Sequence, residues 1–356
     1  MPKTLILLAM CYIVIGTSIP GMTDVQSQEM AAGGLTARNE SNISIENERL
    51  VISGMCSTTK IVVEYDFLNH SSQDITTLVA FPIPDYPCPI SSGHPSEPGF
   101  EDFRLWVDGM EVKYDTECKA IYNGHDFTNI LTSMGVDISS FGRFLGTIHG
   151  EGTEIADRNY QLPELSEDAR NILKEFGLIE WDKNFRDSIT PRWLVRKKYF
   201  WNQRFPAGKV VRMRHEYRAR EGITKMFPSD TENFIFRVLP DAEPWTFESA
   251  CVPERQVDDF RRHLRQHPDG IISAYWVKYI LTSANTWKMP IKNFELVIEL
   301  DKGEEDFHKK DHSFVALCWD GNLLRSKNFL RAIRKDFVPH RDLAVYRFWK
   351  VDKQFD

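Results

Sequence analysis

The chain contains no Cys-x-x-Cys pair, and that absence removes thioredoxin-type redox chemistry and zinc ribbons together. It has no Gly-x-Ser-x-Gly elbow, no Gly-x-x-x-x-Gly-Lys-Ser/Thr loop and no Gly-x-Gly-x-x-Gly following a strand. Serine-hydrolase, P-loop and dinucleotide chemistries therefore have no signature. Positive charge is in deficit: 44 Lys and Arg stand against 51 Asp and Glu, a formal charge of -7. Such a balance offers no long-range attraction for phosphate backbones, which sets nucleic acid aside as a partner. Long apolar runs are also missing. The one run, Leu5 to Ile15, is shorter than the roughly 20 residues a membrane helix needs. No repeat period or low-complexity tract breaks the chain, and 42% hydrophobic with 12% aromatic residues describes a folded globular protein.

The amino terminus carries the order of a secretory leader: Lys3, the apolar run, then Gly16, Thr17, Ser18, Pro20 and Gly21. A signal peptide over 1–21 and a flexible mature terminus over 22–34 are expected, giving a periplasmic or secreted protein with no membrane insertion after cleavage. Behind the leader remain Cys56, Cys88, Cys118, Cys251 and Cys318. In an oxidising compartment cysteines tend to pair, and the pairs expected are Cys251 with Cys318 and Cys88 with Cys118. Cys318, inside an apolar strand, also fits a small buried side chain.

Strand periodicity dominates. In Lys60 to Phe67 the residues Ile61, Val63, Tyr65 and Phe67 share one face and Glu64 and Asp66 the other. Asn69 to Ser72 reads as a turn into Asp74 to Phe81, so these two stretches are expected to form a hairpin. Phe103, Leu105 and Val107 run into Asp108-Gly109, a hairpin signal because both positions accept positive φ. Helical spacing appears at Asp126 to Met134 and at Ser166 to Phe176, marking an insertion over about 126–180. Strands return at Trp193 to Trp201 and Val211 to Tyr217. A further helix is expected around Val257, Phe260 and Leu264, then strands at 273–282, 294–301, 314–319 and 343–348, with Asp320-Gly321 as another hairpin turn. The fold class is mainly β (α+β): two β-sandwich-like modules, 35–225 with the helical insertion and 226–356. The cleft between them, bordered by the insertion, is the expected binding region.

Chemically active groups are sparse. His263 and His267 would share a helix face, but no acidic residue lies between them and Arg261, Arg262 and Arg265 repel a cation, so no metal is expected. His308 and His312 sit in a charged loop. His149-Gly150-Glu151-Gly152 and the neighbouring Glu154 and Asp157 form the nearest acidic and histidine cluster, equally explained as a solvated loop. The stretch from Arg192 to Arg220 interleaves cations with aromatics, and Trp193, Arg196, Trp201, Arg212 and Arg214 mark a candidate ligand surface. Strand alternation alone gives the same pattern with the cations facing water. Asn39, Asn42 and Asn69 each open an Asn-x-Ser sequon.

Several stretches carry a family likeness. They are Ala31-Ala32-Gly33-Gly34-Leu35, Tyr65 to Asn69, Asp74 to Pro84, and Phe205 to Lys209 leading to His215-Glu216-Tyr217. To these are added Leu281 to Trp287 with Pro290-Ile291, and Cys318 to Gly321 followed by Asp336-Phe337 and Pro339 to Leu343. In them the chain resembles a bacterial exported family catalogued as domain of unknown function 4424. The resemblance implies an exported protein and brings no activity. The combined reading is a non-enzymatic binding or structural protein of the bacterial envelope, with no cofactor and with an envelope protein or glycan as partner. The alternatives are an envelope-directed hydrolase using acidic or His residues near the insertion, and an adhesion-type module pairing through sheet edges.

Overall fold

The structure is a computed structural model that describes residues 32–33, 35–37, 41–55, 59–83, 85–88, 100–139, 165–182, 188–219, 222–226, 235–236, 245–300, 313–319 and 321–351. The leader, Cys56, Asn39, the loop around His149, and His308 and His312 lie outside them. In chain order the principal elements begin with β1 (Ile43–Ser53), β2 (Thr59–Asn69), β3 (Ile75–Pro82), β4 (Phe100–Val107) and β5 (Asp115–Tyr122). Helices α1 (Thr128–Ser133) and α2 (Glu167–Glu175) follow, then β6 (Leu194–Phe205), β7 (Val210–Ala219) and β8 (Gly222–Met226). The chain continues with α3 (Glu254–Gln266), β9 (Ile271–Ile280), β10 (Ile291–Glu299), β11 (Ser313–Cys318), β12 (Phe329–Phe337) and β13 (Leu343–Val351). No helix among the described residues is long and apolar enough to cross a membrane.

Three sheets enclose one apolar core. The long sheet runs Leu324–Arg325, β12, β10, β1, β2, β7, β4 and Met110–Glu111. A second sheet holds β5, β6 and β3, edged by Thr36–Ala37, and a third holds β9, β13 and β11, with Ala32–Gly33 and β8 along one side of β9. Alternation decides which side is buried: along β2, Ile61, Val63, Tyr65 and Phe67 point inward while Lys60 and Glu64 face water. The inner face of the long sheet meets both other sheets, Phe81 of β3 packing on Phe103 and the Tyr65 hydroxyl reaching that of Tyr279 in β9 at 2.9 Å. The mainly β, sandwich-like class read from the sequence is what the chain adopts. One feature crosses residue 225: β10 pairs in parallel with β1, Asn293 to Ile298 against Asn47 to Ile52, so strands from both sides of that position share the long sheet.

Two expected hairpins are corrected. β2 and β3 lie in different sheets, β2 between β1 and β7 and β3 beside β6. The turn between them is a corner built on Asn69, whose buried amide donates to the carbonyls of Gln73 and Phe205 at 2.8 Å each and accepts from Ser71 N–H. The same burial removes the Asn69 sequon from the surface. The turn at Asp320-Gly321 likewise leads from β11 in the third sheet toward Leu324–Arg325 in the long one, Asp320 itself lying outside the described residues. The turn at Asp108-Gly109 does close a hairpin, with φ of 48° and 82°.

The helices follow their sequence signals. Ser166 caps α2 by accepting from Ala169 N–H at 3.2 Å, and Gly177, at φ 70°, ends it. α3 buries Val257, Phe260 and Leu264 against Phe348 of the third sheet. Beside it Cys251 and Cys318 form a disulfide with Cα atoms 5.2 Å apart. Cys88 and Cys118, expected as a second pair, are not bonded to each other. Cys118 stands opposite Lys197 on one side of β6, while Cys88 N–H binds the Trp193 carbonyl on the other. Four residues of strand separate these positions, about 13 Å, against the roughly 7 Å between Cα atoms that a disulfide tolerates.

Candidate functional site

The outer face of the long sheet carries a groove of about 750 Å³. Its floor is a row of outward side chains, one per strand: Ile333, Glu295, Arg49, Glu64, Arg214 and Trp106, each opposite the next. The row alternates in charge and is stitched together. Arg49 reaches Glu295 at 3.2 Å and Glu64 at 3.3 Å, Arg331 holds Glu295 at 2.6 Å, and Arg214 stands 4.0 Å from Glu64 with its guanidinium 4.5 Å from the Trp106 ring centre. A parallel row adds amides: Asn293 donates to Asn47 at 3.1 Å, Asn47 to Asp66 at 2.7 Å, and Arg212 pairs with Asp66 at 3.6 Å. Four guanidiniums (Arg49, Arg212, Arg214, Arg331) therefore meet three carboxylates, Glu64 exposed and Asp66 and Glu295 half-buried. From β12 to β4 the floor crosses six strands, about 24 Å at the usual strand spacing.

Beneath the groove lies a polar cluster that the sequence reading did not single out. β1 bulges between Ile45 and Asn47, and this shifts the inward parity from Ile43 and Ile45 to Glu48, Leu50 and Ile52. Glu48 is thereby turned into the core at 3% exposure, its Oε2 without a hydrogen-bond partner, and burial pushes its carboxyl up to about 8. Tyr65, directly opposite, shares a hydrogen bond with Tyr279 and another with the Leu35 backbone. Burial, with Glu48 nearby, holds the Tyr65 phenol well above its ordinary range. His215 is fully buried among Tyr65, Phe81, Phe103 and Tyr217, with neither ring nitrogen bonded. Burial and then the adjacent Arg214 lower it to about 3, so it is a neutral aromatic at physiological pH. The signal for the bulge was legible: Ile43 and Ile45 are odd-numbered, Leu50 and Ile52 even.

The expected ligand surface divides. β6 and β7 are in different sheets, so Trp193 and Trp201 are core residues at 1% and 4% exposure, corrected from surface positions. Arg196 grips Asp85 at 2.7 Å on the second sheet. Arg212 and Arg214 alone of the five line the groove. Neighbouring cations are matched in the same way, Lys198 by Glu117 at 3.0 Å and Arg218 by Asp102 at 3.5 Å. His263 is buried with its Nε2 3.2 Å from the Val351 carbonyl, and its ring centre is 4.7 Å from that of His267. Among the described residues no three His, Cys, Asp or Glu converge as a metal site. No described residue of the helical insertion lines the groove, which opens on the outside of the long sheet rather than in a cleft beside that insertion.

A family model described as Domain of unknown function (DUF4424) matches residues 24–346. Among solved structures the chain is similar to a Legionella pneumophila protein provisionally described as nutrient binding, at 13% identity and a TM-score of 0.40, over 89% of this chain and 70% of that one. It is also similar to an M1 zinc metallopeptidase from Deinococcus radiodurans at 7% identity and a TM-score of 0.25, over 86% of this chain and 42% of the peptidase. At these values neither likeness bears on function. No curated protein matches.

Proposed function

Since the chain belongs to the DUF4424 family, whose description leaves function open, we propose a role from its own geometry: an exported, non-enzymatic protein that holds an extended polar ligand, an oligosaccharide, in the groove across the long sheet. The carrying observation is the charge-alternating floor. Its guanidiniums and carboxylates already satisfy one another, leaving a nearly neutral surface of planar donors and acceptors with Trp106 at one end. A strongly ionic ligand would have to break those pairs, whereas a hydroxyl-rich neutral chain bonds to their remaining donor and acceptor positions. The Cys251–Cys318 disulfide supports the exported part of the reading, because such bonds persist in oxidising compartments.

The test uses protein recovered from its host, with its amino terminus sequenced before use, and a panel of neutral oligosaccharides long enough to span the groove. Binding is read by calorimetry on the native protein and on a charge-neutral double variant, Arg49→Gln with Glu295→Gln. Exposed ion pairs contribute about 0–1 kcal/mol, so the variant keeps its fold. At least a tenfold loss of affinity is expected. Equal affinity in both proteins, or no binder in the panel, defeats the ligand assignment, and a terminus at Met1 defeats export.

A further inference from the structure

A second cavity, of about 220 Å³, opens where the end of β11, the end of β12 and the turn into β13 come together. Three stretches that carry the family likeness converge there, since Leu281, Trp319, and residues 336–337 with 340–342 all line it. Arg334 is the unusual member. On β12 it stands opposite Phe294, on the same face as buried Leu330 and Ala332, so alternation directs a guanidinium to the inner side of the long sheet. Its guanidinium carbon lies 5.9 Å from the centre of the Trp319 ring. Gly321, at φ 142°, lies close against the guanidinium, which a Cβ added there would displace.

Two donors beside the cavity lack acceptors among the described residues. Arg334 makes no ion pair with a carboxylate among the described residues, although elsewhere on the same strand Arg331 is matched by Glu295 at 2.6 Å. The Trp319 indole N–H is buried without a partner. Asp342, which also borders the cavity, is engaged by Thr282, accepting from its N–H at 3.0 Å and its hydroxyl at 2.7 Å. Lys335, Asp336, His340 and Arg341 complete the polar lining. An orphaned buried donor is costly, and an arginine fixed by stacking presents the planar fork that matches an oxyanion.

We propose that this cavity binds a small oxyanion of phosphate chemistry, with Arg334, held against the Trp319 ring, as the bidentate donor. The volume is below the roughly 300–1,000 Å³ of sites for drug-sized ligands, which suits a free ion or an anionic end group. The site is separate from the groove, and its fate does not depend on the oligosaccharide reading.

The experiment follows the Trp319 indole N–H by nitrogen-15 NMR on the whole protein during titration with inorganic phosphate, at constant ionic strength set by chloride. The signal is expected to shift saturably in the native protein, with at least tenfold weaker binding in Arg334→Gln and unchanged binding in Lys198→Gln, which lies on the second sheet away from the cavity. A parallel titration with glycerol phosphate separates the sources: tighter binding than inorganic phosphate assigns an end group, weaker binding a free ion. Failure of the native signal to saturate with either compound overturns the proposal whether or not Arg334→Gln folds. Undiminished binding in a folded Arg334→Gln overturns it equally.

Discussion

Two buried groups set opposite slopes on stability against pH. The folded protein holds the Glu48 proton up to about 8, against 4.5 for the free side chain, so it binds more protons than the unfolded chain in that window and loses stability as pH rises through it. His215 does the reverse. Its folded value of about 3 lies below the free 6.5, so the unfolded chain binds more protons in between and stability falls as pH drops. The two slopes, each about 1.4 kcal/mol per pH unit, cancel between 4.5 and 6.5 and leave a plateau. Above it, between 6.5 and 8, Glu48 alone acts and removes about 2 kcal/mol. Glu46 steepens the acid side: although burial opposes it, hydrogen bonds from Lys292 and Ser44 lower its carboxyl, and their contribution is lost as that group protonates. Denaturant unfolding of native protein and Glu48→Gln from pH 4 to 9 should show the alkaline decline in the first and not in the second. An alkaline decline of the same size in Glu48→Gln would exclude Glu48 as its source.

Elements were legible in proportion to how local their signals are. β2 and β7 follow period-two alternation without interruption, β10 does so from Phe294 to Ile298, and α3 shows its buried stripe in Val257, Phe260 and Leu264. β1 was missed because its bulge breaks the alternation midway, and β5 because its side chains, Asp115 to Lys119, are mostly polar or half-buried. The hairpin expected between β2 and β3 failed for a different reason. A short turn between two alternating strands is also what a corner between packed sheets looks like, and only the Asn69 hydrogen bonds to Gln73 and Phe205 decide between them. At α3 the consequence is measurable. Phe260 is fully buried, with its ring centre 5.4 Å from those of Phe247 and Phe348. Phe260→Ala should cost about 3–5 kcal/mol in chemical denaturation. A loss below 1 kcal/mol would mean that the helix is not held by this stripe, since cavities of that size carry the larger cost.

At the scale of the molecule, the parallel pairing of β10 with β1 ties the two halves of the sequence into one sheet. A fragment of residues 35–225 would expose the edge of β1 and the inner faces of the strands that now meet Val277, Tyr279 and Val345. That fragment should show no cooperative thermal transition by circular dichroism, whereas the full chain should. A sharp transition in the fragment would show that the first half folds without its partner strand. By itself the sequence determined which side of most strands is buried, where α2 begins, and that Arg212 and Arg214 face outward, because all of these depend on residues a few positions apart. Tertiary structure alone decided that β6 and β7 part company, that Trp193 and Trp201 are core, and that Arg49, Glu295 and Trp106 line one groove. Those outcomes depend on which strands become neighbours, and pairing is settled by surfaces hundreds of residues apart that no local period records.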